Sequence, residues 1–298
     1  MTGTIEFVIC PLWLIGGAIL IVLLVLLLRQ QKQKDKSAVP LPASKKPEKT
    51  ECGLVSEKEE TDPDVEEDVG GTPSLLQYSF SQLEYLSIAG NWEVHLQCRA
   101  PENECKIGID PAFARFVKVE PAHNGLLIRY IGKKSPEEPM TIDISTTGVP
   151  EQVKSIGKSQ LWIDSVETER FVCKVTDGGK VEMSGAKVGE LTVKLTGKCR
   201  AECGGEFESA ELEVAGGSNG KLRGSVKKLF VRLCGASKAE AGQAEKAEID
   251  VSGASKLKLE VTGKLEGDLS GGSTLKYRGE IDTSSIRISG SSRLKNWN

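Results

Sequence analysis

The chain has 298 residues, 32 glycines, aromatics at 5% and a formal net charge of -3. That length leaves room for one sizeable domain with appendages, and the near-neutral charge gives no electrostatic case for a nucleic-acid partner. The 8 cysteines are scattered without CxxC pairs or His-rich spacing, which argues against a zinc site.

Val8 to Leu28 is an apolar run long enough to span a bilayer. A cleaved signal would need a basic start and a small-x-small cleavage site, and neither is present. Residues 1–30 therefore read as a short tail and a retained single-pass transmembrane helix. Arg29, Lys32, Lys34 and Lys36 follow the run directly, whereas the tail before it carries only Glu6. By the positive-inside rule this places the C-terminal bulk in the cytoplasm.

Residues 31–74 read as a disordered charged linker. Pro40, Pro42 and Pro47 come first, then an acidic run from Glu57 to Asp68, with too few apolar residues to offset the entropy of ordering. Cys52 lies here and is expected to be exposed.

From Leu75 onward the pattern is of strands, so residues 75–298 form one all-β domain. Trp92, Val94 and Leu96 alternate, and Ile107 and Ile109 resume the pattern after Pro101-Glu102-Asn103-Glu104. Cys98 and Cys105 flank that turn. They face each other if it closes an antiparallel hairpin, as a disulfide or as two thiols depending on the compartment. Phe116 to Glu120 and Leu126 to Tyr130, joined across Asn124-Gly125, read as a second hairpin. Met140 to Ile144 and Leu161 to Ile163 lead into a repeat.

The repeat is a block of apolar, any, Gly, any, Ser. It stands as Val214-Ala215-Gly216-Gly217-Ser218 and recurs at Leu233 to Ser237, Val251 to Ser255, Leu269 to Ser273 and Ile288 to Ser292. Leu195 to Cys199 is a variant and Val175 to Gly179 a worn one. The period of roughly 18 to 20 residues lies in the range of stacked repeats. Apolar residues alternate before each glycine (Ile249, Val251) and after it (Leu257, Leu259, Val261). So each unit is a pair of short strands with a sharp bend between them. One such unit cannot bury its own apolar face, but a stack can, and the product is a β-solenoid whose turns lie about 4.8 Å apart.

Together, the S-G-A-S blocks, the opening F-x-x-L-E-Y-L-S-I-A-G-N-W-E-V-H-L and the V-K-V-E-P-A-H-N-G-L-L-I-R-Y segment resemble the "putative auto-transporter adhesin, head GIN domain" family over Gln77 to Trp297. The resemblance implies a β-solenoid in an exported or membrane-attached bacterial protein, with adhesion in the family's name and no catalytic residues to carry over. It implies an extracytoplasmic domain, against the charge flanks. Asp177 and Lys198 depart from the family's small-residue pattern.

No catalytic, cofactor or metal residue stands out. His95 and His123 lack a neighbouring nucleophile with a carboxylate partner and read as strand or turn residues. Asp250, Glu260, Asp268 and Glu280 alternate with apolar residues and point outward. A pair of them on one face would be the signature of a polysaccharide-active enzyme, but the repeats lack insertions to wall off a cleft. Ser218, Ser237, Ser255, Ser273 and Ser292, with Cys199 one turn earlier, share one repeat position and are expected to form a self-satisfying ladder that fixes register. The expected function is a membrane-anchored, non-enzymatic adhesion or scaffold module contacting protein or surface glycan. The alternatives are a β-helix enzyme and a filament-forming cytoplasmic solenoid. Trp297 is expected either to mediate self-association or to fold back over the last rung.

Overall fold

The structure, a computed structural model, describes residues 74–122, 124–134, 136 and 140–297. The expected helix Val8 to Leu28, the linker, Cys52 and His123 lie outside the described residues. Among the described residues no helix is long and apolar enough to cross a membrane.

The described chain is β apart from one short helix, α1 (Pro111–Ala114). Its regular part consists of the long strands β11 (Lys180–Thr196), β12 (Arg200–Ala215), β13 (Asn219–Leu233), β14 (Lys238–Val251) and β15 (Lys256–Leu269), each pairing in parallel with the next. Buried and exposed residues alternate along each strand, as a sheet with one face in a core requires. The alternation resets where two outward residues fall together, at Ser184-Gly185 and at Gly189-Glu190 in β11. An extra outward residue reverses side-chain parity, so the backbone must bend to keep its apolar set inside. Each turn of the coil therefore has three segments. Face I ends in the Gly-Ser block, face II follows that block, and the short face III leads back to face I of the next turn.

Earlier strands continue the same stacks. β8 (Gln152–Ile156) and β10 (Glu167–Thr176) lie on face I, β9 (Gln160–Asp164) on face II. At the other end, β16 (Thr274–Arg278) and β18 (Arg293–Asn296) extend face II, and β17 (Ile286–Ile288) extends face I.

The N-terminal end departs from the expected hairpins. β2 (Tyr85–Ala89) and β3 (Trp92–Cys98) already form a solenoid rung. They lie between β8 and β9 on one side and β6 (Gly125–Tyr130) and β7 (Met140–Thr146) on the other, all parallel. After β1, the chain thus lays down an inner rung, then the cap strands, then the rung of β6 and β7 between them, and returns to continue at β8. Sequence neighbours are not stacked neighbours here. β4 (Glu104–Ile109) pairs antiparallel with β7, not β3, and β1 (Ser74–Ser79) pairs antiparallel with β4. Cys98 and Cys105 therefore do not face each other: β7 lies between their strands, and both are buried free thiols. The second hairpin is present as β5 (Val117–Ala122) against β6. Its closing pair is Ala122 and Gly125, so the turn sits one residue earlier than the sequence reading placed it. β5 on face I and β4 with β1 on face II cap this end with antiparallel strands, which removes the open parallel edge.

The interior is a column of Val, Leu, Ile and Ala, with Trp92 and Phe171 the largest fully buried side chains. It narrows at β14, where Ala239, Ala241, Ala244 and Ala247 face in, and widens at β15 with Leu257, Leu259, Val261 and Leu265.

Candidate interaction faces

The Gly-Ser corner is structural, and its hydrogen bonds show why. Ser218, Ser237, Ser255 and Ser273 are all buried. The hydroxyls do not bond one another. Ser218, Ser237 and Ser273 each donate to the carbonyl three residues back, at 2.7, 2.7 and 2.8 Å. The hydroxyl oxygens also accept backbone N–H groups from the preceding turn: Cys199 N–H to Ser218 Oγ at 3.1 Å and Ser237 N–H to Ser255 Oγ at 3.2 Å. Each side chain thus satisfies groups that the bend would otherwise strand in the core. Ser292 is only half-buried, and its hydroxyl makes no hydrogen bond.

Two members of this file escaped the sequence reading. Ser159 Oγ accepts Trp92 N–H at 3.3 Å and donates to Gly90 O at 3.1 Å. Trp92 holds the same position one rung earlier, and its Nε1–H donates to Ala89 O at 3.0 Å, the same three-back bond the serines make. The signal was in Ile88-Ala89-Gly90-Asn91-Trp92, which matches the block except for Trp where Ser stands later.

The glycine is required by a close approach. Gly253 has φ 72, and a Cβ there would lie 3.1 Å from the backbone nitrogen of Gly235 in the turn before. Asp177 and Lys198, the departures from the small-residue pattern, both sit at positive φ, 63 and 66. Each corner here uses two left-handed residues: Asp177 fills the first position, as Gly216 and Gly235 do later, and Lys198 fills the second, as Gly217 and Ala236 do.

The outward surface differs between faces. On face I, the turns from Lys194 to Asp250 carry charges of alternating sign. Lys194 pairs with Glu213 at 2.9 Å, Glu213 with Arg232 at 3.0 Å, and Arg232 approaches Asp250 at 3.7 Å. The Lys194 hydrogen bond holds the Glu213 carboxyl below its ordinary pKa. Asp268, one turn beyond Asp250, receives two bonds from Arg287 at 2.6 and 2.7 Å. Phe230 projects from this face, 42% exposed, between Glu211 and Glu248.

Face III holds a shallow axial trough of about 850 Å³. Its carboxylates include Glu167, paired with Arg99 at 2.6 Å, and Glu208, paired with Lys227 at 2.6 Å. Glu206 and Glu208 project together two residues apart on β12. The carboxylates singled out in the sequence are not brought together there. Asp250 and Asp268 lie on face I, Glu260 sits at the edge of face II beside Arg278, and Glu280 is exposed in the 279–285 loop. His95 stacks on Trp162 of the next rung, centroids 4.7 Å apart and planes 9° from parallel. Stacking covers the facing sides of the two rings. Among the described residues no group of His, Cys, Asp and Glu is placed to hold a metal.

The coil, its antiparallel cap and its ladder corners define a β-solenoid of the adhesin-like class. The chain belongs to the family described as "Putative auto-transporter adhesin, head GIN domain", whose pattern matches residues 82–221 and 187–281. Its fold is shared with a "putative lipid binding protein" from Parabacteroides distasonis ATCC 8503, with a TM-score of 0.69 and 16% identity over 76% of this chain and 98% of that one. A "putative adhesin" from Parabacteroides merdae ATCC 43184 gives 0.68 at 11% identity over 76% and 97%. A "putative adhesin" from Bacteroides fragilis NCTC 9343 gives 0.59 at 14% over 76% and 98%. No curated protein matches the chain in sequence.

Proposed function

We propose that this protein is a membrane-anchored contact module that works by adhesion, not by turnover. The observation that carries the reading is the register of its outward surface. From β11 to β15, equivalent side chains of successive turns stack without inserted loops, and face I is occupied by cross-turn ion pairs. Such a surface is long, flat and repetitive, suited to contact over many turns and poor at enclosing a small substrate. The names of the family and of two fold neighbours agree with it.

The anchor in this reading is Val8 to Leu28, and residues 31–74 tether the solenoid to it. The family's name favours the cell surface over the cytoplasmic side indicated by Arg29 and the lysines after it. We take the surface placement, in which Cys52 of intact cells reacts with a membrane-impermeant maleimide. Labelling only after lysis reverses the orientation.

One observation favours a second reading, a polysaccharide-active enzyme. Glu206 and Glu208 share the face III trough at a spacing of roughly 7 Å along the strand, within the range of glycosidase carboxylates. The deciding experiment incubates the full chain with cell-wall polysaccharides and follows both retention and new reducing ends. Retention without product is expected. Product formation that Glu206→Gln abolishes would establish the enzyme instead.

A further inference from the structure

One line of side chains on face II carries cations in several turns and no acid. In register from β9 to β18 it reads Gln160, Lys180, Arg200, Asn219, Lys238, Lys256, Thr274, Arg293. No acidic residue occurs in it. Lys180, Arg200, Lys238, Lys256 and Arg293 are all exposed, and none forms an ion pair among the described residues. The Lys180 ammonium donates to Gln160 Oε1 at 3.4 Å. Like charges directly opposite on neighbouring strands destabilise a sheet. This chain nevertheless places Arg200 beside Lys180 and Lys256 beside Lys238, although its net charge is -3 and acids are plentiful elsewhere.

The surroundings define the shape of what this line would take. On one side runs a mixed file, Glu182, Glu202, Lys221, Glu240 and Lys258, in which Lys258 pairs with Glu240 at 3.0 Å. On the other side is the corner, where exposed Lys198 adds a cation two residues before Arg200 and the later Gly217, Ala236, Ala254 and Gly272 are exposed and carry almost no side chain. The cations therefore stand as a row beside a shelf that is low from Gly217 onward. The row from Lys180 to Arg293 is about 29 Å long at ~4.8 Å per rung. A planar anionic surface such as a bilayer would also meet Glu182, Glu202 and Glu240. A linear polymer lying along the coil axis meets the row alone.

We propose that this row binds a linear polyanion with one negative charge per monomer, an acidic polysaccharide bearing one carboxylate per sugar. The inference rests on the contact-module reading and names its partner. Carboxylates spaced along an extended sugar chain fall opposite successive cations, and Asn219 and Thr274 supply polar contacts at the gaps. Retention comes from the summed row, so it is steeply salt-dependent, as for other polyanions that release counterions on binding.

The test uses the full chain in detergent with polygalacturonate as probe. Neutral dextran, single-stranded DNA and vesicles of phosphatidylglycerol with phosphatidylcholine serve as comparisons. Lys238→Glu/Lys256→Glu is compared with Lys228→Glu/Lys246→Glu, an equal charge change at exposed neighbours on another part of the coil. Both doubles are expected to melt like the parent. Polygalacturonate binding should weaken on the order of tenfold or more in the first double and stay near parent strength in the second. Equal loss in both doubles would show diffuse charge attraction and overturn the row. Binding to vesicles or DNA in preference to polygalacturonate would overturn the partner class. Absence of polyanion binding, with cell-wall retention intact, would overturn this inference and leave the contact module standing. Cleavage of the polymer would instead overturn the contact module itself.

Discussion

The hydroxyl oxygen of Ser255 accepts the backbone N–H of Ser237 at 3.2 Å, one full turn earlier in the coil. Neither residue has measurable exposure. The bond joins two turns at the point where the backbone is most sharply bent. A Lys at 255 would have to place a charged chain where no volume exists, and we expect a loss of several kcal/mol. Ser255→Ala should cost about 1–3 kcal/mol, because it leaves the Ser237 N–H unsatisfied in the core. Lys256→Ala, on the exposed side, should stay within about 0.5 kcal/mol. Urea denaturation of the three variants decides this, and equal midpoints would remove the ladder from the account.

Ser155 is the opposite case. It occupies a core position in register with Ile88 and Val175, and its hydroxyl makes no hydrogen bond. An unsatisfied buried hydroxyl detracts from stability, so Ser155→Ala should raise it by about 1 kcal/mol. A destabilised variant would mean that the hydroxyl has a partner in solution, such as a bridging water.

Four of the five buried thiols among the described residues make stability fall in alkali. Burial pushes Cys98, Cys105 and Cys203 up to about 12 from the ordinary 9.0, and pushes Cys173 up as well. Above about pH 9 the unfolded chain loses these protons while the native state keeps them. The unfolded state then binds fewer protons, so stability declines as pH rises from about 9 toward 12. The limit is about 1.4 kcal/mol per pH unit per thiol. Cys203→Ala should make the decline measurably shallower. Denaturation midpoints that fall equally steeply in parent and variant would assign the effect to other groups. In the same protein at pH 8, exposed Cys234 should be alkylated well before the five buried cysteines.

Trp297 lies back along the coil. Its backbone N–H donates to Tyr277 O at 3.1 Å, and Lys258 Nζ sits 5.0 Å from its ring centroid. Trp297→Ala should therefore lower stability by about 1–2 kcal/mol through lost burial and the lost cation–π contact, without changing oligomeric state. Unchanged stability with altered sedimentation would assign the side chain to an interface instead.

Much of this was legible in the chain. The period-two alternation around Gly253 and its equivalents dictates strands with a bend, and the recurrence of Ser255 and its equivalents dictates stacking in register. Both signals are local and repeated, so one unit predicts the next. The glycine and serine roles follow from backbone sterics and hydrogen-bond accounting that hold in any turn.

What the tertiary structure alone decided is how turns are ordered and which outward residues become neighbours. The β2 and β3 rung lies between rungs formed later in the chain, so Cys98 and Cys105 are seven residues apart in sequence yet separated by β7. Strand pairing there is set by which edges remain open when the cap closes, a non-local competition that no short pattern encodes. The charge rows have the same origin. Lys238 and Lys256 are 18 residues apart, and only the register of β14 on β15 makes them adjacent. Sequence fixes which residues face outward, because alternation is a property of one strand. Stacking fixes which of them add their charges, because that depends on how many residues each bend consumes.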